Sequence, residues 1–308
     1  MSDAAIAVSG LRKSYGSHEA VRGIDFAVGR GEVYGFVGPN GAGKTTTIEI
    51  LEGYRPRSAG EVSVLGVDPG RPTSAWRDRI GLVLQECELE PLLTVRELVT
   101  MFSELYSHPR PVAETIELVG LGDKQDARVG TLSGGQRRRV DVAVALVGDP
   151  DLVFLDEPTT GFDPSARRGA WNMIEGLKGL GKTIFLTTHY MDEAQHLADR
   201  VAILRGGRIV AEGPPDQLGG NDLGQAVIRF SLPAGVSPED VRAQVETPVE
   251  ASGNQLSITT GRPQTALYRL TAWAEREGIE LGGLEVRRPS LEDVFLELTG
   301  ERAEDGDG

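Results

Sequence analysis

One cysteine, Cys87, in 308 residues leaves this chain unable to form an internal disulfide or a multi-cysteine metal site. Long apolar runs are missing as well. Val142 to Val147 is among the longest, far short of the ~20 residues that span a bilayer. Met1-Ser2-Asp3 places an acid where a secretory leader carries a basic segment, so no signal peptide is expected. Positive charge is scarce too: 32 Lys and Arg stand against 46 Asp and Glu, a net charge of −14. No basic stripe exists to neutralise a phosphate backbone, which argues against nucleic acid as a partner. Arg137-Arg138-Arg139, the one run of three, lies inside a motif described below and is expected at the exposed start of a helix. A reducing cytosol fits these features, and work at a membrane would require a separate anchoring partner.

What is present is ordinary globular material, with 39% hydrophobic and 25% charged residues and a length that fits one large domain plus a smaller one. Short β-rich runs at Ala5–Leu11, Ala20–Val28 and Glu32–Val37 are punctuated by glycines. A helix is expected over Lys44–Leu51, stopped by Gly53. Strands are expected at 61–68 and 80–85, followed by a helical subdomain at about 88–150. In it Thr94 and Glu97 form a capping box, and Val95, Leu98, Val99, Phe102 and Leu105-Tyr106 share a helix face. Strands return at Leu152–Leu155, Thr183–Thr187 and Val201–Leu204, and this alternation with helices implies an α/β fold with a largely parallel sheet. Gly206-Gly207 reads as a hairpin turn near the sheet edge. Gly213-Pro214-Pro215 and Gly219-Gly220-Asn221 mark a boundary, so a first domain is expected over 4–221. A small βαββαβ α+β domain is expected over 222–300, closing with a helix Leu291–Leu298 capped by Ser290. The acidic, glycine-rich 301–308 is expected to be a disordered tail.

Three segments carry chemistry. Gly38-Pro39-Asn40-Gly41-Ala42-Gly43-Lys44-Thr45, followed by Thr46, has the GxxxxGK[ST] pattern between a strand and a helix. The glycines let backbone N–H groups wrap phosphates at a helix N-terminus, Lys44 reaches the β- and γ-phosphates, and the Thr45 hydroxyl suits Mg²⁺. Leu152 to Glu157 is an apolar strand ending in two acids. Alone that is most often a solvated strand end. Beside a phosphate loop, Asp156 suits the Mg²⁺ shell and Glu157 a general base that activates water. Leu132-Ser133-Gly134-Gly135-Gln136 opens a second helix, with Ser133 as cap and two glycines exposing backbone donors toward an anion.

This last segment matches letter for letter the signature of the ABC ATPase superfamily, which the chain resembles over residues 5 to about 215. The resemblance implies a RecA-like core with an antiparallel β subdomain and a helical insert. It also implies a head-to-tail pairing of two ATP-binding subunits, as a homodimer or with a paralogue, in which Ser133, Gly134, Gly135 and Gln136 close on the partner's nucleotide. It adds Gln85 as a Mg²⁺ and water contact, His189 as the switch histidine near the γ-phosphate, Tyr15 as the adenine-stacking aromatic and Asp163 of the D-loop. Phe162 stands where leucine is usual. His18, His108 and His196 read as loop or helix-surface histidines.

Pro289-Ser290-Leu291-Glu292-Asp293-Val294-Phe295 looks like the ending of daunorubicin-resistance-type drug and antibiotic export ATPases, although the residues alone require only a capped amphipathic helix. The resemblance therefore implies an ATPase subunit, with ATP and Mg²⁺ as cofactors, peripheral on the cytoplasmic face of the cell membrane. It would drive export of a drug, antibiotic or lipid-like substrate through a membrane-spanning permease subunit. Two alternatives stay open: an import ATPase with a regulatory C-terminal domain, and a soluble non-transport ABC ATPase. The single motif set, the compact insert and the acidic balance weigh against the second.

Overall fold

The computed structural model describes residues 4–84, 88–218, 226–233, 235–245, 247–287, 291–293 and 295. It divides into two compact units between Pro215 and Asp216. Gln85, Cys87, Gly219-Gly220-Asn221, Ser290, Val294, Leu298 and the 301–308 tail, all singled out above, lie outside the described residues, as does most of the expected last helix.

In the first unit, β1 (Ala4–Tyr15), β2 (His18–Gly29) and β4 (Ala59–Val64) form an antiparallel sheet in the order β2-β1-β4. The central six-stranded sheet has the order β5-β6-β7-β3-β8-β9. Its members are β3 (Val33–Val37), β5 (Ile80–Val83), β6 (Leu152–Asp156), β7 (Thr183–Thr188), β8 (Arg200–Arg205) and β9 (Arg208–Gly213). All pairs are parallel except the β8–β9 hairpin, which turns at Gly206-Gly207. Strands β3, β6 and β7 are buried at every residue, as befits parallel strands covered on both faces.

The period of two then sorts their side chains between two cores. Phe36, Leu152, Phe154 and Phe185 join the β1–β2–β4 sheet and helix α1 (Lys44–Leu51) on one side. Val153, Leu155, Ile184 and Leu186 join the helices on the other. Those helices include α3 (Val95–Ser103), α4 (Val112–Leu118), α5 (Gly134–Leu146), α6 (Pro164–Gly179) and α7 (Met191–Leu197), while the short α2 (Ser74–Arg77) precedes β5.

Thr94 and Glu97 do form a capping box at α3, and Val95, Leu98 and Val99 are buried. The expected helix face ends early, however. The helix stops at Ser103, so Leu105 turns to solvent at 72% exposure while Tyr106 packs against Gly148. Among the described residues no helix is long and apolar enough to cross a membrane.

The second unit runs β10 (Ala226–Ser231), α8 (Pro238–Arg242), β11 (Val249–Ser252), β12 (Gln255–Thr260), α9 (Pro263–Glu277) and β13 (Gly282–Arg287). Its antiparallel sheet has the order β11-β12-β10-β13. The paired Ile228–Ile258 and Phe230–Leu256 face Val241, Leu270 and Trp273 in a separate core.

Candidate functional site

Strand order places the chemistry. Because β6, β7 and β3 are parallel neighbours, their carboxyl ends share one edge of the sheet. Register brings Asp156 opposite Thr187, and Val37, the last residue before the glycine-rich loop, opposite Thr188. The loop 38–43, the acids Asp156 and Glu157 at the end of β6 and His189 after β7 therefore converge.

Gly38 and Gly43 have no room for a side chain: a Cβ on Gly38 would sit 2.5 Å from the Leu204 carbonyl, and one on Gly43 2.6 Å from that of Ala20. Gly43 also takes φ 106° and leads directly into α1. Lys44, only 4% exposed, folds back over the loop. Its ammonium donates to the Gly38 carbonyl at 2.8 Å and the Pro39 carbonyl at 3.3 Å, and lies 3.3 Å from Glu157 Oε1. Thr45 and Asp156 line one cavity of ≈ 600 Å³ together with Glu49, Glu52, Tyr54 and Leu84.

Glu157 is 8% exposed and held from several directions. Its Oε2 accepts from Thr160 Oγ1 at 3.2 Å and lies 3.1 Å from His189 Nδ1. A carboxylate can only accept, so the His189 Nδ1 carries the proton and Nε2 is left for another partner. The Glu157 backbone N–H donates to Thr187 Oγ1 and to the Thr187 carbonyl, each at 3.1 Å. Glu157 also adopts φ 45°, a left-handed conformation that costs a non-glycine residue ~1–2 kcal/mol and persists where surrounding contacts impose it. The Thr187 hydroxyl donates in turn to Asp156.

Burial pushes the Asp156 carboxyl above its ordinary range, opposed by the Thr187 hydrogen bond and reinforced by Glu157. Glu52 is raised to about 8, first by burial and then by Asp156 and Glu49. An electronegative pocket of this kind favours a cation. Among the described residues no three His, Cys, Asp or Glu surround a common point, so Mg²⁺ at Thr45 and Asp156 would draw its remaining ligands from phosphate and water, as that ion commonly does. The loop and donor set thus fit a Mg²⁺-nucleotide.

Ser133 caps α5 with Gln136 in a reciprocal capping box. Ser133, Gly135, Gln136, Phe162 and Asp163 line a different cavity of ≈ 350 Å³, which shares no lining residue with that of Thr45 and Asp156. Asp163 caps α6, its Oδ1 accepting from Ser165 and Ala166 N–H at 2.8 and 2.9 Å. Tyr15, 41% exposed at the end of β1, has Lys13 and Arg55 over its ring at 5.0 and 5.4 Å. His196 lies on α7, 3.4 Å from Glu175.

The arginine run requires correction. Arg137 is exposed, but Arg138 is buried at 8%, donating to the carbonyls of Leu84, Asp156 and Pro158. It ties the signature helix to the ends of β5 and β6. Sequence reasoning also passed over Thr187 and Thr160. Their only signal is a hydroxyl residue at a buried strand end and another three residues past Glu157.

The ABC transporter family profile matches residues 21–160, and a profile described as the C-terminal domain of ABC transporter domain-containing protein-like sequences matches residues 226–290. The chain is 42% identical to the Nod factor export ATP-binding protein I of Rhizobium sp. (strain N33), over 99% of this chain and 100% of that protein. It is 39% identical to the daunorubicin resistance ATP-binding protein DrrA3 of Streptomyces coeruleorubidus, over 98% of each. The dimeric structure of a bacterial ABC transporter cassette superposes with a TM-score of 0.60 at 26% identity, covering 68% of this chain and 98% of that one.

Proposed function

This chain belongs to the ABC transporter ATP-binding proteins, whose ATP hydrolysis is coupled to transport, and on that premise we propose that it energises export of a drug, antibiotic or lipid-like cargo through a separate permease. The observation that carries the hydrolytic part is the buried Glu157, set between Lys44 at 3.3 Å and His189 at 3.1 Å at the mouth of the glycine-rich loop. The loop N–H groups of 38–43 and Lys44 hold the phosphates. Glu157 orients the attacking water and takes its proton, and His189 offers Nε2 toward the γ-phosphate. Thr45, Asp156 and Gln85 would hold Mg²⁺, which when bound neutralises charge on the β- and γ-phosphates. Tyr15 offers its exposed ring to the adenine.

Ser133, Gly135, Gln136 and Asp163 line a cavity apart from that of Thr45 and Asp156, and would close on the nucleotide of a second subunit across a head-to-tail dimer. The permease would meet the exposed apolar surface at Tyr54, Leu82 and Leu84, which borders the Thr45–Asp156 cavity, so that partner and nucleotide would share one groove. Full-length similarity to two proteins named for export and drug resistance supports the export direction.

The test is co-expression with the membrane protein that co-purifies with this chain, followed by cargo uptake into inside-out vesicles. ATP-dependent accumulation inside supports export. Cargo leaving the vesicles on ATP addition, or no membrane protein co-purifying, overturns it.

A further inference from the structure

Behind the β6–β7 edge sits a carboxylate that the hydrolytic chemistry leaves unused. Glu193, in the first turn of α7, is 0% exposed, whereas acids are rarely fully buried without partners. Its Oε1 accepts from Thr159 Oγ1 at 2.8 Å and from Trp171 Nε1 at 3.2 Å, and the Thr188 hydroxyl adjoins the same carboxylate. Burial raises its pKa, while the adjoining Thr188, Thr159 and Trp171 together with the Arg167 charge oppose the rise.

Each partner belongs to a different functional segment. Thr159 is two residues past Glu157, and the next residue, Thr160, donates to Glu157 Oε2 at 3.2 Å. Thr188 directly precedes His189. Trp171 lies on α6, the helix that Asp163 caps.

We propose that Glu193 is a positioning residue which, by holding Thr159 and Trp171 on one buried carboxylate beside Thr188, sets Glu157 against His189 and ties α6, the helix that Asp163 caps, to the same frame. This rests on the hydrolytic reading of Glu157 and His189. Were Glu193 only filling space, an apolar side chain of similar volume would serve as well or better, since buried charges are often replaceable by packed hydrophobic residues. As a positioning acceptor it is not replaceable in that way. Glu193→Leu would leave the fully buried Thr159 hydroxyl and the Trp171 N–H without an acceptor, and the turn carrying Thr159 and Thr160 would shift. A displacement near 1 Å at a catalytic group can cost about 10²-fold, so a fall in kcat of roughly 10- to 100-fold is expected, with KM for ATP unchanged because the phosphate loop is untouched. Glu193→Gln keeps the Oε1 acceptor and should turn over at close to the wild-type rate.

The experiment measures kcat, KM, thermal melting and affinity for a fluorescent ATP analogue on the full chain. It compares Glu193→Gln, Glu193→Leu, Thr159→Val and the double variant Glu193→Leu/Thr159→Val, with Glu157→Gln alongside. Thr159→Val breaks the same tie from the other side at almost constant volume and stands in if Glu193→Leu does not fold. Expected are a kcat loss in both apolar variants at constant KM, rescue by Glu193→Gln, and a double variant no worse than the poorer single one. Wild-type turnover in the apolar variants, a Glu193→Gln loss as deep as that of Glu193→Leu, or losses that multiply in the double variant would each overturn the proposal. An active Glu157→Gln would instead remove the hydrolytic reading beneath it.

Discussion

Replacing Glu157 by glutamine is the sharpest perturbation of the site because it changes one proton acceptor and little else. The amide is isosteric, so Thr160 Oγ1 still finds an acceptor 3.2 Å away and the side chain still fills its buried position. Glutamine meets the φ 45° backbone with the same penalty as glutamate, so the loop after β6 keeps its path. Two contacts change. The charge opposite Lys44 at 3.3 Å is lost, which frees the ammonium for phosphate, and the His189 Nδ1–H at 3.1 Å now faces the uncharged amide oxygen, a weaker acceptor. ATP binding should therefore be retained or tightened. Hydrolysis loses its general base, an effect of about 10²–10⁴ in rate, or ~3–5 kcal/mol of barrier at about 1.4 kcal/mol per decade. With cleavage slowed and binding intact, the ATP-bound pair of subunits should accumulate. Steady-state phosphate release and gel filtration with ATP and Mg²⁺ measure the two effects. Turnover within a few-fold of wild type would refute the assignment of Glu157, and a parallel loss of ATP affinity would show that the residue binds nucleotide instead of activating water.

Lys44→Ala should weaken nucleotide binding itself, since the ammonium serves ground and transition state alike, and titration with a fluorescent ATP analogue reads this directly. Ser133→Arg should abolish hydrolysis with ATP binding to the monomer preserved, because Ser133 lines a cavity separate from that of Thr45 and Asp156; binding and turnover measured on the same preparation decide it. Glu52 makes stability depend on pH. Its folded pKa of about 8 lies above the ordinary 4.5, so the proton it holds stabilises the fold fully below pH ~4.5, and that contribution is lost as pH rises through about 8. Glu52→Gln should thus melt like wild type near pH 5 and at a higher temperature near pH 8.5, and equal melting temperatures at both pH values would remove the effect.

The local motifs were legible in the residues alone, and so was the ATP-hydrolysing family they belong to. A phosphate loop needs closely spaced glycines followed by Lys44 and Thr45, a buried parallel strand needs an unbroken apolar run, and a helix cap needs Ser133 or Thr94 three residues before Gln136 or Glu97. All of these are short-range requirements, written within a few positions of one another. Strand order was not legible in this way. That β7 lies between β6 and β3, and so carries Thr187 and His189 to Asp156 and Glu157, follows from long-range pairing and from which faces find a core to fill. The same holds for Arg138, whose position in a basic run points to solvent until β5 and β6 turn their carbonyls toward it, and for Leu105, left outside once the helix ends at Ser103. Glu193 shows the division most clearly. In sequence it is one more acid on a helix, and only the fold, by closing Thr159 and Trp171 around it beside Thr188, makes it a buried acceptor for residues distant in the chain.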